Sequence, residues 1–193
     1  MSEPVVVIVS GHPCTGKSTL ARRVAERFSL PLMSKDMCKE LLFDTLGWKD
    51  REWSKKLGWA SIELVFQFLE AQLAAHRSCI VESNFKPEFD TAKFLELQER
   101  YGFTPLRIQC VADGAILFER FKRRSESEER HPGHCDRLNY DEFRETLLEG
   151  RLPPLDIGGP LVEIDTTNLD EIDYTAVFTE VDRILNDDTE TVR

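Results

Sequence analysis

The stretch from Val5 to Leu20, VVVIVSGHPCTGKSTL, restricts what this chain can fold into more than any other. Val5 to Val9 is an uninterrupted, mostly β-branched apolar run, the pattern of a strand buried on both faces of a parallel sheet. Gly11 and Gly16 then frame four residues and are followed by Lys17 and Ser18, so G-x-x-x-x-G-K-[ST] is met at every position. Such a loop turns successive backbone N–H groups inward, and a helix opening near Lys17 aims its positive end at the same point. An anion is stabilised there. The spacing predicts a phosphate cradle formed by Gly11, His12, Pro13, Cys14, Thr15, Gly16, Lys17, Ser18 and Thr19. Lys17 is placed to reach the β and γ phosphates of a nucleoside triphosphate, and the Ser18 hydroxyl to hold Mg2+. Nothing near Cys14 in the sequence would activate it as a nucleophile.

With 193 residues, the chain is long enough for one well-buried core and short for two, so a single domain over 1–193 with a lid is expected. The net charge of -10 makes the chain as a whole repel polyanions, which disfavours nucleic acid as a partner while leaving room for a local basic groove. The five cysteines, at 14, 38, 79, 110 and 135, are widely spaced and form no C-x-x-C pair, so reduced thiols are expected. No apolar run reaches membrane-spanning length, and the acidic start Met1-Ser2-Glu3 is no basic targeting segment. A cytoplasmic protein without a membrane partner is expected.

Further along, Leu20, Val24 and Phe28 mark an amphipathic helix. Pro31 to Ser34 reads as a short second strand that delivers Lys35-Asp36 to the start of a helix over Met37 to Leu46. In an open α/β sheet the carboxyl ends of the strands line the ligand crevice, so Asp36 is expected to face the phosphate loop; as a helix N-cap it would have a purely structural role. Residues 47–59 hold Trp48, Trp53 and Trp59, read as a connecting segment packed onto the core, with a roof over a substrate pocket as the alternative, within a substrate segment of about 37–76. A helix carrying Ile62, Phe66, Leu69 and Leu73 follows. Cys79 to Val81 reads as the third strand, delivering Glu82, placed to hold magnesium directly or through water, and Asn84. Pro87 opens the next helix and Gly102 ends it. Thr104 to Val111 is the fourth strand, and Asp113 caps a helix turning Ile116, Leu117 and Phe121 inward.

Phe118 to Arg137 mixes charges without period and then carries Pro-Gly at 132–133, the mark of a solvated, mobile segment. Arg120, Arg124 and Arg130 are the candidates there to meet a transferring phosphoryl group if 119–137 is a lid. His131, His134 and Cys135 are too close together for a convincing zinc site. Leu161 to Ile164 reads as a fifth strand leading to Asp165-Thr166-Thr167-Asn168. Ile172, Ala176, Val177, Val181 and Ile184 mark a closing helix, and the tail after Asn186 reads as frayed. Alternating strands and helices behind the cradle imply an α/β, three-layer, doubly wound parallel sheet.

SGHPCTGKSTLA at 10–21, SKD at 34–36, VESNFKPE at 81–88 and the arginines near 120–130 resemble the small P-loop kinases of the AAA_33 or zeta-toxin-like group. The pattern is also similar to the kinase domain of phage polynucleotide 5′-kinase. The resemblance implies a five-stranded parallel sheet of order 2-3-1-4-5, helices on both faces, an arginine-bearing lid, and an adenine site between the lid and the Thr167 loop. It implies Asp36 as the base that takes the acceptor hydroxyl proton, Arg120 on the donor phosphates, and Asn84 as a polar pocket residue. Lys39 stands where the polynucleotide enzyme places an arginine, and a point charge lacks that residue's bidentate fork.

Together these features imply an ATP- and Mg2+-dependent kinase acting on a hydroxyl of a metabolite, nucleoside, sugar or antibiotic. Lys17, Asp36 and Arg120 would be catalytic, Lys39, Asn84 and Arg130 would bind substrate, and Ser18 and Glu82 would hold the metal. The alternatives are a polynucleotide 5′-hydroxyl kinase and a nucleotide-dependent switch or ATPase without an acceptor.

Overall fold

The structure, a computed structural model, describes residues 3–190. Five parallel strands form one sheet in the order β2-β3-β1-β4-β5. They are β1 (Val5–Gly11), β2 (Leu32–Ser34), β3 (Cys79–Glu82), β4 (Thr104–Val111) and β5 (Leu161–Asp165). Between and after them lie α1 (Lys17–Phe28), α2 (Lys35–Leu46), α3 (Arg51–Ala74), α4 (Pro87–Tyr101), α5 (Gly114–Glu126), α6 (Tyr140–Leu148) and α7 (Thr175–Glu190). Two short 3-10 turns, Pro132–His134 and Asp136–Leu138, connect α5 to α6.

The central strand shows why the valine run is continuous. Side chains alternate across a strand, so Val6 and Ile8 enter a core with Val65, Phe66 and Leu69 of α3 and Phe94 of α4. Val5, Val7 and Val9 enter the opposite core with Leu20 and Val24 of α1 and Val177 and Val181 of α7. Both faces are covered, and each of these β1 side chains is almost wholly buried. Burial of that kind contributes roughly 1.5–3 kcal/mol per side chain. Val6 to Val9 pair with Cys79 to Glu82, which brings the ends of β1 and β3 level beneath one crevice.

Several local expectations are corrected. The helix after β2 opens at Lys35, and Ser34 is its N-cap, so Asp36 sits in the first turn and does not cap. Residues 51–59 are the first turns of α3, not a connecting segment, because Asp50 caps that helix by accepting the Trp53 N–H at 2.8 Å. Trp48 and Trp59 are about half exposed and miss the core, each meeting a ring edge-on: His131 for Trp48 and Phe89 for Trp59. Ile116 is exposed on α5, whereas Leu117 and Phe121 are buried as expected. The closing helix continues to Glu190 instead of fraying after Asn186.

The largest correction concerns 127–138. This stretch reads as solvated in the sequence, yet Gly133, His134 and Asp136 are buried. Its buried polar groups find partners, the His134 ring on Glu40 of α2, the His134 carbonyl on Arg51 and Ser54 of α3, and Asp136 on Arg130 of the same segment, which offsets the cost of burying them. Gly133 itself lies against the Phe43 ring so closely that a Cβ would be 2.7 Å from it.

Candidate active site

The donor half is built from backbone at the end of β1. Gly11 is required by space, since a Cβ there would lie 2.6 Å from the Cys110 carbonyl oxygen and 2.8 Å from Thr15 Oγ1. Gly16, at φ 75°, supplies the left-handed N-cap of α1. The loop closes on the His12 carbonyl, which accepts from Thr15 Oγ1 at 2.9 Å and from Lys17 Nζ at 3.4 Å. No acidic residue occupies the first turn of α1, so its positive end is not neutralised. Cys14 is half-buried, and burial pushes its thiol up, which suits a loop residue and not a nucleophile.

Glu82 at the end of β3 is buried beneath this loop. Its Oε2 accepts from Ser18 Oγ at 3.1 Å and from Ser34 Oγ at 2.5 Å, and its Oε1 lies 3.7 Å from Lys17 Nζ. A hydroxyl and a carboxylate side by side next to a phosphate cradle form the hard-oxygen donor set that magnesium takes. Ser18 and Glu82 therefore fit that ion. Thr19 bonds backward to the Gly16 carbonyl at 3.0 Å, and its side chain is exposed on α1.

The acceptor half is built from side chains on α2 and on the 127–138 segment. Asp36, Glu40 and Asp44 recur at four-residue spacing and share a face. Each meets a cationic or imidazole partner from the far segment. Arg130 lies 3.1 Å from Asp36, 3.6 Å from Glu40 and 2.9 Å from the buried Asp136. His134 Nε2 donates to Glu40 at 2.9 Å, and His131 lies 3.3 Å from Asp44 while stacking on Phe43. Burial alone would push the Asp36 carboxyl up, but Arg130, His134 and Lys17 outweigh it and hold it well below the usual carboxylate range. Burial also pushes the His134 imidazole down, so it is a neutral donor to Glu40 near neutrality.

Lys39 is buried, with Nζ 3.0 Å from Ser54 Oγ and 5.3 Å from the centre of the Phe43 ring. Burial pushes its ammonium down to about 8. Asn84 Oδ1 accepts from Lys35 Nζ at 3.4 Å. A cavity of about 300 Å³ joins these residues to the donor half, running from Lys17 and Glu82 to Asp36, Lys39, Asn84, Arg124 and Arg130.

Arg120 and Thr167 lie elsewhere. The Arg120 guanidinium donates to the Thr166 carbonyl at 2.8 Å and to the Thr167 carbonyl, and Thr167 Oγ1 accepts from the Asp113 N–H at 3.0 Å. Arg120 lines a separate cleft with Asn168 and Leu169. Leu169 Cδ2 lies 3.2 Å from where a Cβ on Gly16 would be, so this cleft adjoins the phosphate loop. The structure thus brings Arg124 and Arg130, and not Arg120, into the cavity with Lys17.

Sequence reading missed Lys35, Lys86, Glu40, His134 and Asp136. Lys35 stands beside Asp36 in the SKD step and could have been found there. Asp136 and Glu40 carried no signal, since their role depends on Arg130, which lies 94 residues from Asp36.

The comparisons agree with this fold. A crystal structure of a candidate kinase from Chloroflexus aurantiacus J-10-fl is 41% identical, with 95% of this chain and 98% of that chain covered and a TM-score of 0.87. A gluconokinase from Sinorhizobium meliloti 1021 is 17% identical over 100% of this chain and 98% of its own, at a TM-score of 0.53. A sugar kinase from Janibacter sp. HTCC2649 is 17% identical over 86% of each chain, at 0.50. At such identity the last two share the fold alone. No curated protein matches the chain. The AAA domain family matches residues 6–149, and the chain belongs to that family, in the form of a small P-loop kinase fold.

Proposed function

We propose that this protein is an ATP- and magnesium-dependent phosphotransferase that moves the γ-phosphoryl group to a hydroxyl of a small-molecule acceptor. The observation behind this reading is one cavity lined at once by Lys17, Glu82 and Asp36. A phosphate cradle alone would serve an ATPase or a switch. A carboxylate facing that cradle across a cavity of small-molecule size supplies the place for an acceptor.

In this reading the triphosphate lies along the N–H groups of 11–18, with Lys17 on its β and γ phosphates. The cleft of Arg120, Asn168 and Leu169, beside Thr167, takes the adenine. Magnesium, on Ser18 and Glu82, supplies charge neutralisation at the phosphates. Arg124 and Arg130 reach the transferring group from the 119–137 lid, and Lys39 and Asn84 orient the acceptor. Asp36 accepts the hydroxyl proton. Its carboxyl is held low, and so ionised, which leaves it free to take that proton. The Arg130 ion pair with Asp36 belongs to the ligand-free arrangement, and in transfer the guanidinium shifts toward the phosphoryl oxygens.

Asp36→Asn keeps the shape and removes the proton acceptor. With an acceptor found by screening metabolites for ATP-dependent phosphorylated products, turnover should fall by roughly 10²- to 10⁴-fold while nucleotide affinity is retained. Unchanged turnover removes Asp36 from the mechanism. Steady ATP hydrolysis that no acceptor alters, equal in wild type and variant, supports the switch or ATPase instead.

A further inference from the structure

The cavity between Asp36 and the phosphate loop carries more positive charge than the reaction uses. Its carboxylates are already engaged: Asp36 and Asp136 by Arg130, Glu82 by Ser18, Ser34 and Lys17, and Glu142 by Arg51 and Lys55. Asp90 accepts the Lys86 backbone N–H at 2.7 Å and acts on Lys35 only from beyond ion-pair distance. Lys17, Arg124 and Arg130 face the phosphoryl end. Three cations lining the same cavity, Lys35, Lys39 and Lys86, have no carboxylate within ion-pair distance among the described residues; Asp36 and Asp90 act on Lys35, and Asp36 and Asp136 on Lys39, only from farther off. This is an accumulation of positive charge in a chain whose net charge is -10.

Lys39 is the most telling of the three. Only 8% of it is exposed, and its ammonium meets one hydroxyl, Ser54, and one ring face, Phe43. An ammonium withdrawn from water to that degree is destabilising unless a counter-charge is supplied. Lys35 lies one helical turn before it, so the two like charges also oppose each other. Lys35 has a single weak contact, to Asn84 Oδ1 at 3.4 Å, and burial lowers its ammonium as it does that of Lys39. Gly58 of α3 lies directly under Lys39 and leaves the ammonium room. Trp59, Ile62 and Phe89 supply an apolar flank beside this charge, suited to a short carbon skeleton.

We propose that the acceptor carries, besides its reacting hydroxyl, an anionic group, a carboxylate or a phosphate monoester, which seats on Lys39 with Lys35 and Lys86 around it. The inference rests on the phosphotransferase reading for the acceptor's role but makes a separate claim about its charge. A cavity of about 300 Å³ is at the small end for ligand pockets, which suits a compound of sugar size and not a nucleic-acid strand.

The test uses the full chain with its phosphate loop saturated by the magnesium complex of a non-hydrolysable ATP analogue, so that anions cannot bind there. Matched sets of polyols and sugars, each as the neutral compound, the corresponding sugar acid and the phosphate monoester, are titrated while the tryptophan fluorescence is followed. The charged members should bind at least about 10-fold more tightly than the neutral one, and the two charged arms decide between carboxylate and phosphate. Lys39→Met should remove about 10- to 100-fold of that affinity. Lys86→Gln, at an exposed position where misfolding is not a concern, should remove a smaller part. Equal affinity for neutral and charged members, no binding of any charged member, or a charge preference that survives both substitutions overturns the proposal. Incubation of the same sets with ATP separates the two claims. Tight binding of charged members without phosphorylated product overturns the kinase reading and keeps the anion site. Product formed from neutral hydroxyl compounds alone does the reverse.

Discussion

The two ends of the cavity are made in opposite ways. The donor end is eight contiguous residues whose backbone makes the site, so Gly11, Gly16, Lys17 and Ser18 can be read from spacing alone. The acceptor end is side chains brought together from α2 and from a segment 94 residues later, held by Arg130 among Asp36, Glu40 and Asp136. A backbone site tolerates almost any side chain at its variable positions and specifies a common ligand. A side-chain site is specific to its members and changes with each of them. Damage to the first should therefore appear in nucleotide affinity, and damage to the second in acceptor use and in stability.

The largest expected effect tests the first half of that contrast. Lys17→Ala removes the one charged side chain of the cradle, and transfer should fall by about 10³-fold, the scale for losing a charge-stabilising donor in a dry site. Equilibrium binding of ATP should weaken with it, whereas Asp36→Asn should leave binding intact. If Lys17→Ala binds ATP as wild type does and loses only transfer, the donor end holds its nucleotide through its backbone alone and uses Lys17 only in the reaction.

Arg130→Met comes next and tests the other half. It leaves the buried Asp136 and the Asp36 carboxylate without their shared cation, and breaking a buried ion pair from one side costs about 3 kcal/mol or more. Urea unfolding should report that loss, with ATP affinity little changed. Arg130→Met with Asp136→Leu should recover part of the stability, because the uncompensated charge is then absent. A single substitution that leaves stability unchanged would show that 127–138 is not held to α2 by these pairs.

The same contrast explains what was legible in the sequence. A doubly wound parallel sheet follows from a buried valine run and alternating elements, its strand order from the resemblance to small P-loop kinases, and the place of Asp36 from the end of a short strand beside the cradle. The Trp53 and Trp59 turns of α3 were lost among glycines and lysines because their helix is stabilised by the Asp50 cap and by burial of Leu57 and Ser61, not by a clear apolar period. The segment around Arg130 looked solvated because its charges are neutralised by α2, and no local pattern announces a partner so far away. Arg120 was the natural first lid arginine by position, yet its guanidinium is taken by the carbonyls of Thr166 and Thr167.

Acid should loosen both ends, by a smaller amount. Burial lowers His12 in the loop and His134 in the lid segment below their ordinary 6.5. The unfolded chain takes up protons there that the fold refuses, so stability falls as pH drops through 6.5 and toward the folded values. The slope is at most about 1.4 kcal/mol per pH unit for each histidine. The lowered carboxyls of Asp36 and Glu40 act in a separate, more acidic window, since their contribution is present above the unfolded value and is lost only well below pH 5. Urea midpoints at pH 7.5 and 5.5 should therefore differ, with His134→Gln removing one part of the slope and His12→Gln the other. Equal midpoints at the two pH values would mean that neither imidazole is held neutral.

The smallest effect sharpens the comparison at the level of one methyl group. Gly11 cannot accept a Cβ, which would meet a backbone carbonyl at 2.6 Å, whereas a Cβ at Gly58 would lie 3.6 Å from Lys39 Cε and Nζ, an ordinary contact. Gly58 also lies inside the long helix α3, where glycine is less stable than alanine by roughly 0.5–1 kcal/mol. Gly58→Ala should raise the unfolding free energy from urea titration by that amount. It should also narrow the space beside the Lys39 ammonium and raise the acceptor KM a few-fold, with ATP affinity unaffected. A glycine kept against its helix propensity is explained if stability and acceptor KM rise together. If stability rises and KM does not, the room at Gly58 serves no ligand, and Lys39 reaches its acceptor by another side of the cavity.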